Sequence, residues 1–378
     1  MAQRRGGIGI GWIIVRALLA LLALALIVVT FLPFLGTNSW WVRFLDFPRV
    51  EFLWAAVIVL VISLGLPGRL RWYGLITSLV AAAALGVQSW IVVPYSAIAP
   101  VAAASAASCP AGNRLRVLEA NVQMTNEHDN RLFDEVKSAD ADVLLFEEVD
   151  KWWDEQFRQM HDRYPHFKHY VTQNYYGITL LSKYPLVSPD IRFLANSHDP
   201  AVFSGVTLPS GQTIRFYGIH PRPPTFGQSS AERDAVVSAA ALAIADDKQP
   251  SILIGDMNAT PWSSIVRRSA RIGHLLDPRL GRGWYPTWKA NATIMRWPLD
   301  EVLFGPAFAL TDFQVLPPFG SDHQPTLTTL CYDPQLNQAA PQPVNGDIQA
   351  ALQAVKTGQG KAAPSPEPKA GKQEPGGD

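Results

Sequence analysis

Apolar positions are distributed in two ways along this chain. Over the first quarter they run almost without a break, whereas beyond about residue 114 they come in short strand-like or helical runs separated by charged and turn residues. Residues 12–32 carry Arg16 as their only charge, and residues 72–93 carry none beyond the arginines that precede them, with Trp72, Tyr73 and Trp90 near the ends as interfacial anchors. Each is long enough to cross a bilayer, which takes about 20 apolar residues. Residues 52–67, bounded by Glu51 and Pro67-Gly68, are shorter and are read as a third crossing, so that 1–93 form a transmembrane region. The first span exceeds the 7–15 apolar residues usual in a cleaved secretory signal, and further spans follow it, so it is expected to be retained.

With three crossings, Arg4 and Arg5 share a side with Arg69 and Arg71, while Arg43 and Arg49 are offset by Asp46 and Glu51. The positive-inside bias then keeps the N-terminus in the cytoplasm and puts everything after Val93 on the extracytoplasmic side of a cell (inner) membrane, as a multi-pass protein. If the short middle span only dips into the bilayer, the remainder lies inside instead.

Residues 94–113 are small, Pro-containing and poor in polar side chains, and read as a tether. Residues 334–378 are rich in Pro, Gly, Gln, Lys and Ala and are expected to be disordered. Between them, RLRVLEANV, DVLLFEEV, GITLLS, VFSGVTL, TIRFYGIH, SILIGDMN, LDEVLF and TLTTLCY are strand candidates, and 126–138, 151–161 and 229–245 are helix candidates. Pro209-Ser210-Gly211 supplies a turn between two of the strands, which predicts a hairpin. Hairpins mixed with crossovers indicate an α+β or mixed α/β domain over 114–333.

The formal net charge of +0 averages a nearly uncharged front and a charged middle. Acids slightly outnumber bases in 114–333, which argues against a domain built to embrace long polyanions. The two cysteines, Cys109 and Cys331, flank that domain. They are either unrelated thiols or a disulfide stapling its ends, the second requiring an oxidising compartment. Five tryptophans, Trp152, Trp153, Trp262, Trp284 and Trp288, are read first as core or rim packing.

Polar residues recur where strand candidates end: Asn121, Glu148, His220, Asp256 and Asn258. Taken singly, each is an ordinary turn or surface residue. Two clusters are harder to dismiss, GDMNATP directly after a β-branched strand and SDHQP directly before another. Hydrolysis of a phosphoester needs a positioned water, a base, charge against the developing oxyanion and a proton for the leaving oxygen. Carboxylate and amide oxygens are hard ligands suited to Mg²⁺.

The ordered series LEANV, DVLLFEEV, GITLLSKYPL, YGIHPRPP, GDMNATP, WPLDEVLF and GSDHQP resembles the endonuclease/exonuclease/phosphatase superfamily, of deoxyribonuclease I-like fold, in particular a branch with N-terminal transmembrane helices. The resemblance implies an α+β four-layer αββα sandwich of two mixed sheets following the three helices. It also implies a divalent-metal-dependent phosphoesterase, a phosphodiesterase or nuclease, using Mg²⁺, with Mn²⁺ or Ca²⁺ as alternatives. By similarity, Asn121, Glu148 and Asp322 lie at the metal, His220 contacts phosphate oxygens, and Asp256 and Asn258 position water and phosphate. His323 pairs with Asp300, and the base is either His323 or Asp256. Asp300-Glu301 departs from the Asp-His pair of many members, and Asn174, Tyr175 and Tyr176 are the candidates for a mid-domain phosphate contact. The resemblance brings the first and last strands together, which favours the disulfide. The expected partners are a phosphate-ester substrate (lipid headgroup, nucleic acid or small phosphodiester) and membrane lipid, with no obligate protein partner. The rival expectation is a catalytically silent, membrane-tethered binding module of the same fold.

Overall fold

The computed structural model describes residues 10–66, 71–126, 131–195, 198–336 and 338–360 of the 378. Arg4, Arg5, Arg69 and the tail beyond 360, which entered the sequence reading, lie outside the described residues. The chain divides into two compact units.

The first unit holds helices α1 (Ile10–Phe31), α2 (Trp40–Phe44), α3 (Arg49–Gly65) and α4 (Arg71–Val92), together with Pro224–Ser229 and Arg279–Trp284. Small and medium side chains (Ala23 and Leu26 of α1, Ala56 and Val59 of α3, Ala81 and Ala84 of α4) make its core. Leu18, Leu21 and Leu22 on α1 and Leu75, Ile76 and Leu79 on α4 stay exposed. One polar chain runs through the interior: Gln88 donates to Thr30 at 2.9 Å, Arg49 donates to Gln88 at 3.4 Å, and Arg49 pairs with Asp46. Among the described residues two helical stretches, Ile10–Leu35 and Trp72–Tyr95, are long and apolar enough to cross a membrane, not three. The expected middle span is α3, whose 17 residues begin with Arg49 and Glu51 in the first turn, leaving too short an apolar length. The odd-crossing argument for the side of the membrane falls with it.

The second unit is built on two sheets. Strands β1 (Arg114–Asn121), β2 (Val143–Glu147), β3 (His166–Tyr170), β4 (Ile178–Ser182), β10 (Phe308–Val315) and β11 (Thr326–Tyr332) form one, in the order β10-β11-β1-β2-β4-β3. Strands β5 (Leu186–Phe193), β6 (Pro200–Thr207), β7 (Thr213–Ile219), β8 (Ser251–Asp256) and β9 (Asp300–Phe304) form the other, in that order. Among the described strands β1–β2 and β7–β8 are the parallel pairs, and each is joined by a helical crossover, α5 (Arg131–Ala139) or α7 (Ala231–Asp247). The predicted hairpin is β6–β7, in register from Ala201↔Ile219 to Thr207↔Thr213.

Strand alternation explains the layering. On one face Val117, Leu145, Phe216 and Ile254 meet in a common core between the sheets. On the opposite face of the first sheet, Leu118, Leu144 and Phe146 pack on Leu132 and Val136 of α5 and on Trp153 and Phe157 of α6 (Lys151–Phe157). The other sheet turns Phe203, Tyr217, Leu253 and Leu303 toward α7 and α8 (Ser264–Ile272). The result is the expected αββα sandwich. Asp150 caps α6 by accepting from Trp153 N at 2.9 Å.

Two expectations about the flanks change. Residues 102–113 are not free tether: Ala106 N donates to Leu310 O and Leu310 N to Ala104 O, so this stretch borders β10, and Cys109 is disulfide-bonded to Cys331. The segment after 333 is not wholly irregular, because helix α9 (Asp347–Gln359) buries Ala351 against Ala241 and Ile272 and is fastened by Arg271 to Asp347 at 2.7 and 2.9 Å. A composition poor in aromatics can still dock when small residues fall on one helical face.

Candidate active site

The parallel pairs end on the same side, and loops past the carboxyl ends of such strands are where an α/β arrangement collects function. Asn121 closes β1, Glu148 directly follows β2, His220 directly follows β7, Asp256 closes β8 and Asn258 lies two residues on. Register does the rest: Asn121 lies opposite Glu147, and Asp256 opposite Asp300, the first residue of β9. Asp322 and His323 arrive from the loop before β11.

Two linked groups result. In the first, Asn121 Nδ2 donates to Glu148 Oε1 at 3.1 Å and lies 3.2 Å from Asp256 Oδ2, while Met124 N donates to Glu148 Oε2 at 3.1 Å. Ser321 Oγ donates to Asn121 O at 2.8 Å and accepts from His323 N at 3.0 Å, tying the SDHQP loop to the end of β1. Asp322 is held at both ends, its N donating to Gln123 Oε1 at 3.1 Å and its Oδ2 accepting from Trp288 Nε1 at 2.9 Å. In the second, His323 Nδ1 meets Asp300 at 2.9 and 3.0 Å, and His323 Nε2 lies 3.5 Å from Asp256 Oδ2. His220 Nε2 is 3.8 Å from the same oxygen. Ligating atoms of Asp256, Asp300 and His323 fall within 4.8 Å of one another, a spacing one cation spans. All eight residues expected from the sequence therefore converge.

The backbone is held in uncommon conformations here. Glu148 and Asn258 have φ of +58° and +48°, a left-handed region in which non-glycine residues are scarce and which clusters at functional sites. Gly255 is required by close approach, since a Cβ there would sit 2.1 Å from Ile219 O.

Burial sets the charges. It opposes a charged imidazole, yet Asp300 and Asp256 outweigh it and push His323 up to about 10. Burial would raise Asp300, but His323 holds its carboxyl below the usual range. Asp256 is pushed up to about 6 by burial, with His323 opposing and Asp300 adding. Burial lowers His220 and raises Glu148. Beneath the site two further acids, Glu119 and Glu147, are fully buried on the inter-sheet face; burial, reinforced by Asp300, drives both well above the ordinary range. Glu119 and Trp288 were not singled out as site residues. A glutamate alternating with core residues in LRVLEAN was the available signal for the first, and nothing local marked Trp288, whose ring lies 6.4 Å from His323. Of the mid-domain candidates, Tyr176 lies beside the site, 6.1 Å from the His220 ring, while Asn174 is occupied by Thr172.

A hard divalent cation fits this donor set. Glu148, Asp256 and Asp322 offer carboxylate oxygens, with the Asn121 amide between Glu148 and Asp256, and among the described residues no lysine or arginine pairs with Glu148, Asp256 or Asp322 to balance their charge.

Two mixed sheets between helix layers, with Asn, Glu, Asp and His gathered at one end, define a phosphoric ester hydrolase fold and site. The chain belongs to the Endonuclease/Exonuclease/phosphatase family, whose model matches residues 118–323. Several solved structures are similar to the chain. TDP2 of D. rerio complexed with single strand DNA product is 16% identical, covering 57% of this chain and 98% of its own, with a TM-score of 0.50. The human nocturnin catalytic domain with bound sulfate is 18% identical (60% and 96%, TM-score 0.48), and sphingomyelinase C of Streptomyces griseocarneus is 17% identical (57% and 99%, TM-score 0.44). No curated protein matches the chain.

Proposed function

We propose that this chain is a membrane-anchored, divalent-metal-dependent phosphodiesterase acting by attack of water on phosphorus. The observation that carries the reading is the Asp300–His323–Asp256 chain standing beside the Asn121–Glu148 pair. With Asp300 behind it, His323 is cationic at neutral pH and is suited to stabilise charge on the phosphoryl oxygens. Asp256, near neutrality in its affinity for a proton, is suited to take one from the attacking water. Asn258 and His220 orient the phosphate. Asn121, Glu148 and Asp322 would hold Mg²⁺, or Mn²⁺ or Ca²⁺ in its place, which when bound supplies Lewis-acid charge to the phosphate.

The exposed apolar sides of α1 and α4 support anchoring in a bilayer. The Cys109–Cys331 disulfide supports an extracytoplasmic catalytic domain, because a reducing cytoplasm does not keep structural disulfides. Membrane attachment and the mildly acidic domain favour a lipid-headgroup phosphodiester over long nucleic acid. The full chain in detergent is to be assayed on bis-(p-nitrophenyl) phosphate, then on phospholipid vesicles, oligonucleotides and inositol phosphates. Hydrolysis abolished by chelator and restored by Mg²⁺ is expected. Hydrolysis indifferent to chelator overturns the metal requirement, and a folded, metal-binding but inert protein overturns the enzyme in favour of a binding module.

A further inference from the structure

Asn258 is held from three sides. Its N donates to Asp256 Oδ1 at 2.8 Å, its Nδ2 donates to Pro221 O at 3.1 Å next to His220, and its own carbonyl accepts from Arg233 Nη1 at 3.0 Å. Arg233 stands in the first turn of α7, only 2% exposed. A guanidinium so buried needs its charge and its donors answered. Both requirements are met locally: Nε and Nη2 donate to Asp234 Oδ1 at 2.8 and 2.7 Å, leaving Nη1 for the Asn258 carbonyl. The neighbouring Asp234 cancels the charge, so a rigid planar donor is delivered beneath the site without drawing on the Asp256 carboxylate. The φ of Asn258, +48°, is left-handed, a conformation asparagine reaches more readily than other residues with a Cβ, and these three hydrogen bonds hold it there.

We propose that Arg233 is a positioning residue, which through the Asn258 carbonyl fixes the left-handed turn that aims Asp256, Asn258 and the His220 loop at a common phosphate. It touches no substrate. Lysine, a point donor on a flexible stem, cannot pair bidentately with Asp234 and reach Asn258 at the same time.

The kinetic arm of the test rests on the hydrolase reading above; the exchange arm does not. In the full chain in detergent, Arg233→Ala and Arg233→Lys are compared with Arg271→Ala, which removes the ion pair fastening α9 without touching Asn258. Expected for Arg233→Ala are a kcat lower by about 10–100-fold, KM within about threefold, and partial rescue by millimolar guanidinium. Amide hydrogen exchange over 255–262 should quicken in both Arg233 variants and stay unchanged in Arg271→Ala. Exchange over 255–262 that is unaltered, or that rises equally in Arg271→Ala, overturns the inference. So does an Arg233 variant that loses thermal stability while keeping kcat. A wild-type chain without hydrolysis removes the proposed function, and exchange at 255–262 then decides the role of Arg233 alone; should Arg233→Ala fail to fold, Arg233→Lys carries both arms.

Discussion

At the residue scale, the site is a problem of burying charge. Asp256, Asp300 and His323 are each nearly solvent-free, so their protonation depends on one another rather than on water. His323, raised to about 10 in the fold, lends stability that is complete below its unfolded value of about 6.5 and is lost as pH climbs through about 10. Asp300, held low, contributes stability present above about 3.8 and lost as pH falls below it. Asp256 at about 6 has the opposite effect, favouring the fold when protonated. For catalysis the two limits bracket a window: kcat/KM is expected to rise through about pH 6 as Asp256 loses its proton and to fall near pH 10 as His323 does. A pH–rate profile flat from 5 to 8 would contradict the assignment of Asp256 as base. Replacing Asp256 by Asn or His323 by Ala should each lower kcat on the order of 10²–10⁴-fold, read in the same assay against thermal melting to separate chemistry from unfolding.

At the scale of elements, the strands that carry the site were legible and those that shield it were not. β1, β2, β4, β8, β9 and β11 are buried on nearly every position because both faces are covered, and the apolar run within each stands out. β3 and β5 lie at sheet edges with alternating exposure, and their sequences HFKHY and LVSPDIRF show no buried face to read. β10, another edge, buries Phe308, Leu310 and Phe313 but breaks its pattern at Thr311 and Asp312, and in α8 the arginines mask Ile265, Val266 and Ile272 on its buried side. The inter-sheet core holds the two parallel pairs in register, so Phe216→Ala, emptying a fully buried site of β7, should cost about 3–5 kcal/mol in denaturant unfolding. A loss below about 1 kcal/mol would mean that the sheets repack.

At the scale of the whole molecule, one covalent link closes nearly the entire catalytic domain. Cys109 and Cys331 are 222 residues apart, so the bond constrains the unfolded chain strongly; its loss in Cys331→Ala should cost about 2–4 kcal/mol. Equal stability of the wild type with and without reductant would show that the bond does not form in the isolated protein, and with it would go the argument for an oxidising side. Separately, the chain should remain with membranes after carbonate washing and leave them only in detergent; release by carbonate would remove α1 and α4 as anchors.

The sequence by itself determined the division into an apolar front and an α+β domain, and the polar residues Asn121, Glu148, His220, Asp256 and Asn258 at the ends of apolar runs, whereas Asp300, Asp322 and His323 entered through the family resemblance of the motif series. It could not determine that Asp256 faces Asp300, that Glu119 and Glu147 lie beneath His323, that Arg233 braces Asn258, or that α3 is too short while α9 docks. Those outcomes depend on strand register, on which faces end up covered and on where a helix begins. Such choices are made by the folded chain as a whole, because burying one face fixes the neighbours of every other.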